Sequence, residues 1–156
     1  MTVSSANGKI YAIGGNVING PVLSTVEEYD PVTDRWKKKN DMPNIRANGG
    51  ISVVNGKIYI IGGATWNFGV PALPIVEEYD PIVDKWTRKT DIPTARLLCS
   101  SSAVGGKIYT IGGEDFVNGN SIIYSTVEEY TPEGWPFAVS SEGKLSSKWG
   151  AIKTAY

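Results

Sequence analysis

The sequence predicts an all-β fold built from repeated four-stranded antiparallel units, and three observations carry that expectation. The segments NGKIYAIGG (7–15), NGKIYIIGG (55–63) and GGKIYTIGG (105–113) recur with a period of about 50 residues. A second motif keeps the same period, as VEEYDP at 26–31 and 76–81 and VEEYTP at 127–132. The composition favours short strands, with 18 Gly and 9 Pro to make turns and an apolar fraction dominated by Ile, Val, Tyr and Trp.

The elements of a unit follow in order. In the second unit the strands are GISVVN (50–55), GKIYIIGG (56–63), PIVEEYD (74–80) and DKWTRK (84–89), separated by Gly, Asn, Pro and Asp. The first two strands are joined by Asn-Gly at 7–8 and 55–56 and by Gly-Gly at 105–106, dipeptides that tolerate the positive φ of a tight hairpin. In KIYIIGG, strand alternation puts Ile58 and Ile60 on one face and Tyr59 and Ile61 on the other, so the sheet is covered on both sides. The closing Gly-Gly pair lets the backbone turn sharply or pass close to a neighbouring sheet. A third element occurs twice, DRWKKKNDMPNIR (34–46) and DKWTRKTDIPTAR (84–96), pairing Trp36 with Trp86, Pro43 with Pro93 and Arg46 with Arg96. Its third copy is missing or degenerate.

Four-stranded sheets covered on both faces and repeated along the chain describe the blades of a β-propeller, packed face to face around an axis. IYxIGG, then VEEYDP, then Trp six residues after the motif's Asp, then Pro and Arg, together resemble the Kelch repeat. The resemblance runs over residues 1–132 as three blades, approximately 1–39, 40–89 and 90–132, and leaves 133–156 as a non-repeat tail. Trp135 stands three rather than five residues beyond Pro132, and the Ser, Gly and Lys content of the tail suggests either a loop-like wrap over the last blade, anchored by Trp135, Phe137 and Trp149, or a partly ordered terminus. Residues 2–6 supply only the first strand of unit one, without the arginine-bearing segment that precedes this strand in the other units. Three blades do not close a ring, and an arc of three leaves two apolar blade faces bare. The expectation is a six-bladed ring closed by a homodimer, or completion by the missing blades of a longer chain.

Charge and residue content narrow the function. Fifteen Lys and Arg against sixteen Asp and Glu give a net charge of −1, which removes the electrostatic basis for general nucleic-acid or anionic-membrane binding. Histidine is absent, which excludes Ser-His-Asp and Cys-His catalysis, His-ligated zinc and the histidine-held copper of Kelch-type oxidases. No metal or other cofactor is expected. Cys99 has no partner for an internal disulfide and reads as a small core residue. No run approaches a membrane span, and the first residues lack the basic start and apolar stretch of a signal peptide, so a soluble protein of unspecified compartment is expected. Neighbouring glutamates such as Glu27 and Glu28 point to opposite faces of a strand and cannot act together as an acid–base couple. Arg35, Lys37, Lys38 and Lys39 fall on an outer edge strand, where charge blocks edge-to-edge pairing.

Recognition is expected in the loops between second and third strands, which are longer and less alike than the rest of the repeat: 16–24, 64–74 and 114–124. Trp66, Asn67, Phe68, Asp115, Phe116 and Asn118 are the candidate contacts, with the alternative that Trp66, Phe68 and Phe116 pack over neighbouring blades. Arg46 and Arg96 lie in the connections entering the inner strands, on the same face. There they either grip a carboxylate ligand at the channel mouth, as the Kelch resemblance implies for acidic peptides, or pair with the repeated glutamates inside a blade. The leading function is a noncatalytic scaffold binding protein or peptide ligands. The alternative is a glycan-binding propeller or a Kelch-type sugar isomerase, with Trp66 and Phe68 as stacking platforms.

Overall fold

Each Ile-Tyr motif forms the second strand of a four-stranded antiparallel sheet. The computed structural model describes residues 1–17, 20–65 and 70–132, and the backbone of 149–152. Sheet one comprises β1 (Thr2–Ala6), β2 (Lys9–Asn16), β3 (Val22–Asp30) and β4 (Arg35–Lys38), each beside its sequence neighbour. Sheet two repeats this order with β5 (Gly50–Val54), β6 (Lys57–Ile61), β7 (Val76–Asp80) and β8 (Lys85–Arg88). Sheet three begins with β9 (Ser100–Val104) and β10 (Lys107–Ile111). A two-stranded hairpin, β11 (Glu114–Val117) and β12 (Asn120–Ile123), then interrupts it before β13 (Val127–Tyr130) and β14 (Trp149–Ile152) complete it. The described residues contain no helix.

Turn chemistry explains the hairpins. Asn7, Asn55 and Gly105 all take φ of 52–57°, and the glycines that follow them take 73–76°, the left-handed pair that matches strand twist. Between third and fourth strands, Asp30 and Asp80 each accept a hydrogen bond from the backbone N–H two residues on, Val32 and Ile82, which starts the turn. Asp34 and Asp84 end it at positive φ and accept the hydroxyls of Tyr29 and Tyr79.

The core lies between the sheets, as the alternation in KIYIIGG predicts. Ile58, Ile60 and Tyr79 of sheet two pack on Tyr11, Ile13 and Val26 of sheet one. Tyr59, Ile61 and Val76, on the opposite face, pack on Ile108 and Tyr130 of sheet three. The contact repeats in detail: Tyr11 meets Tyr79 at 6.1 Å between ring centroids, and Tyr59 meets Tyr130 at 6.0 Å. Each such buried Ile or Tyr contributes about 1.5–3 kcal/mol relative to exposure. The first strands lie side by side, β1 next to β5 and β5 next to β9, so they form the inner wall of the stack. At the two ends the same positions are uncovered. Ile10 is 37% exposed where its counterparts Ile58 and Ile108 are at 0%, and Ile111 is 47% exposed where Ile61 is at 0%.

The Gly-Gly pairs take the close-approach role. A Cβ on Gly62, at φ +66°, would collide with the carbonyl oxygen of Arg96, and one on Gly63 would meet that of Ala47 at 2.6 Å. The glycines let the connection into the next sheet lie directly on the backbone, and Gly63 N–H donates to the Arg96 carbonyl at 2.9 Å.

The tail departs from expectation. Residues 149–152 do not wrap as a loop but pair antiparallel with β13, and Trp149 stands opposite Tyr130 as Trp36 stands opposite Tyr29 and Trp86 opposite Tyr79. The third tryptophan of the repeat is therefore Trp149. It is displaced because residues 131–148 separate it from Tyr130, where only 80–85 separate Tyr79 from Trp86. Trp135 and Phe137 lie outside the described residues.

Candidate binding face and the arginine struts

Strand order alone brings the arginine connections and the loops after each second strand to one end of the sheets. Ala47, just after Arg46, bridges to Ala64, just after Gly62-Gly63, with reciprocal N–H to carbonyl bonds of 2.9 Å. Leu97 and Glu114 repeat the bridge in sheet three, and Leu98 N–H donates to the Asn48 carbonyl at 2.7 Å, tying one connection to the next. The expectation that Arg46 and Arg96 share an end with the long loops follows from these bonds.

At that end both guanidiniums point inward. Arg46, 2% exposed, places Nη1 2.5 Å from Glu77 Oε2, while Nη2 donates to the Ile60 carbonyl. Asn44 donates to the other Glu77 oxygen at 2.6 Å. Arg96, 0% exposed, sits 3.0 Å from Glu128 and donates to the Gly112 carbonyl at 2.8 Å and to Thr126 Oγ1 at 3.1 Å, with Tyr124 stacked 5.1 Å from its Cζ. Burial lowers the Arg46 pKa from its ordinary value, against the raising influence of Glu77. Of the two roles the sequence offers these arginines, the geometry shows the pairing inside a blade: both guanidiniums are engaged, Arg46 with Glu77 and Arg96 with Glu128.

The second glutamate of each motif serves the opposite face. Glu28 accepts from Lys9 at 2.9 Å and Tyr11 at 2.8 Å, and Glu78 from Lys57 at 2.9 Å and Tyr59 at 2.6 Å. Burial acts to raise both carboxyl pKa values, but these bonds and the charges of Lys39 and Lys89 hold them below the ordinary carboxylate range. Lys39, expected among edge-strand charges, turns inward between Glu28 and Asp84, at 3.7 and 3.8 Å.

The loop candidates divide. Asp115 accepts from the backbone N–H of Ala72 at 2.6 Å, which ties the loop of sheet three to that of sheet two. Phe116 packs against Ala64, Ala72 and Leu97, so it takes the packing alternative rather than standing free. Asn118 is exposed at the tip of the β11–β12 hairpin, at φ 51°. Trp66, Asn67 and Phe68 lie outside the described residues. What residue-by-residue reading missed is the hairpin itself, whose Val117, Ile122 and Ile123 are uncovered, Ile123 at 81%. The signal was available: Asn118-Gly119 is the same dipeptide that marks the turns at 7–8 and 55–56. Cys99 precedes β9 instead of lying in it and is half-buried, with its thiol pKa raised by burial. Among the described residues no cluster of three or more Cys, Asp and Glu side chains is arranged to hold a metal ion.

Repeated four-stranded antiparallel sheets stacked face to face, two of them braced internally by an arginine–glutamate pair, have the arrangement of propeller blades. The sequence matches the Kelch motif over residues 1–43, 45–93 and 95–135, and the chain belongs to the Kelch-repeat family. It is 37% identical over 60 residues to an F-box/kelch-repeat protein of Arabidopsis thaliana, a stretch covering 38% of this chain and 16% of that protein. It is 35% identical over 65 residues to alpha-scruin of Limulus polyphemus (42% and 7%) and 40% identical over 67 residues to Kelch-like protein 24 of Rattus norvegicus (43% and 10%). The solved structure of YjhT superposes with a TM-score of 0.77 at 19% identity, covering 98% of this chain and 51% of that one. The matched stretches are thus a small part of each relative, and the chain spans about half of the solved structure.

Proposed function

We propose that this chain is a noncatalytic propeller scaffold that binds a protein or peptide at the end of the sheets where the arginine connections enter. The observation that supports the reading is the β11–β12 hairpin at that end, which leaves Val117, Ile122 and Ile123 uncovered on a rigid support. Asn118 at its tip is the one sequence candidate among the described residues that is both exposed and unburdened by packing. Membership of a family of repeat scaffolds points the same way. No observation favours the glycan-binding or sugar-isomerase alternative. The ring is completed by a second copy, three sheets from each, or by further sheets of a longer chain; a solved structure of the same fold about twice as long supports completion. The test is a peptide-display selection on the immobilised chain. Selected binders should lose about tenfold or more in affinity to Ile123→Asp with the melting temperature unchanged. Binders indifferent to Ile123 and Asn118 would count against this face.

A further inference from the structure

The repeat aligns Glu27 with Glu77 and Glu128, and the latter two are buried against Arg46 and Arg96. Glu27 is exposed, and among the described residues no hydrogen bond or ion pair reaches it. Register puts it opposite Ala12 on β2, the position of Ile60 opposite Glu77, so it stands on the uncovered face of sheet one. Trp36 tells the same story on the same face. Its counterpart Trp86 donates its indole N–H to the Asn40 carbonyl of the preceding sheet at 3.0 Å, while Trp36 is 57% exposed. Asp84 accepts the Asn40 N–H at 3.0 Å, whereas among the described residues its counterpart Asp34 bonds only to Tyr29.

Two anchors of one incoming segment are therefore left open: a residue like Asn40 for Trp36 and Asp34, and an arginine six residues later for Glu27. Thr90 and Arg96 keep that spacing at the next junction. Resting on the reading that the end faces are association surfaces, we propose that the uncovered face of sheet one docks a further repeat unit whose connecting segment carries an arginine, and that this guanidinium closes on Glu27. Lys38 stands opposite Glu27 in register but its ammonium is paired with Asp41 at 3.4 Å, so an apolar cover over Ile10 and Trp36 would bury a carboxylate with no cation of its own, which is strongly unfavourable, and the occupant must bring one. An arginine fork also reaches the neighbouring backbone, as Arg46 does at the Ile60 carbonyl. A second copy of the sequence given has no arginine to spare: Arg46 and Arg96 are taken, and Arg35 and Arg88 lie on the fourth strands β4 and β8.

The experiment titrates the full chain with a synthetic peptide, KKNDMPNIRANG, which copies residues 38–49 and carries both anchors. Saturable binding is expected. Replacing the peptide's arginine by glutamine, or Glu27→Gln in the chain, should each weaken it by about tenfold, with no further loss when combined. Glu27→Arg should restore binding to a peptide carrying glutamate in place of its arginine. Glu27 is exposed, so these variants keep the fold. No saturable binding, or binding indifferent to Glu27, overturns the proposal. Sedimentation separates the remaining outcomes: a dimer that survives Glu27→Gln and excludes the peptide assigns the face to a second copy and overturns the arginine claim alone. A monomer that ignores the peptide overturns the association reading as well.

Discussion

Arg46 and Glu77 form an ion pair, Nη1 to Oε2 at 2.5 Å, buried where sheet one meets sheet two, and Arg96 with Glu128 repeats it between sheets two and three. Each arginine comes from the connection that enters a sheet and each glutamate from that sheet's third strand. The pair thus locks the inner end of a blade to the strand two places outward.

Arg96→Leu should lower stability by about 3–5 kcal/mol, since it strands Glu128 in a buried setting without its cation. Adding Glu128→Leu should recover part of the loss, because the second substitution removes the unpaired charge. Urea denaturation of the two variants measures both effects. A melting temperature untouched by Arg96→Leu would return these arginines to the role of ligand contacts.

Trp86 and Trp36 occupy one repeat position but differ in surroundings, and substitution should separate them. Trp86 packs at the junction and bonds Asn40, so Trp86→Ala should cost about 3 kcal/mol. Trp36→Ala should stay within about 1 kcal/mol, because Trp36 is largely exposed and rests on Tyr29 at 5.1 Å between rings. Equal losses in thermal denaturation would mean that the uncovered face is covered in solution.

Acid should destabilise the fold through the second glutamates. Despite burial, Glu28 and Glu78 are held below their ordinary value of 4.5 by lysine and tyrosine donors, and Asp84 lies below 3.8. Below those ordinary values the unfolded chain binds protons that the folded chain refuses. The stabilisation is therefore full above about pH 4.5 and is lost as pH falls through the depressed folded values. Melting temperatures between neutral pH and about pH 3 should fall, and Glu78→Gln should fall less steeply than the parent chain. Parallel slopes would remove Glu78 from the account.

The sequence by itself determined the strands of the recurring motifs, their hairpin turns and the two-sided covering of the sheets, but neither the β11–β12 hairpin nor β14. Each rests on short-range chemistry. Asn55-Gly56 adopts the left-handed turn locally, and the alternation Ile58, Tyr59, Ile60, Ile61 assigns one pair to each neighbouring sheet whatever those sheets contain. It also marked Arg46 and Arg96 as special and brought them to the loop end, because strand order leaves no other place for them. Which partner each side chain takes was settled only in three dimensions. Trp86 and the Asn40 carbonyl, or Asp115 and the Ala72 N–H, are distant in sequence and meet because sheets stack at one offset and rotation. Spacing along the chain carries no record of that offset. Trp149 shows the same limit: a long insertion hides it from the period, and only the hydrogen-bonded register opposite Tyr130 identifies it as the third tryptophan of the repeat. Glu27 is the converse case, a residue that looks identical to Glu77 and Glu128 in sequence and differs from them because, among the described residues, no arginine lies against it.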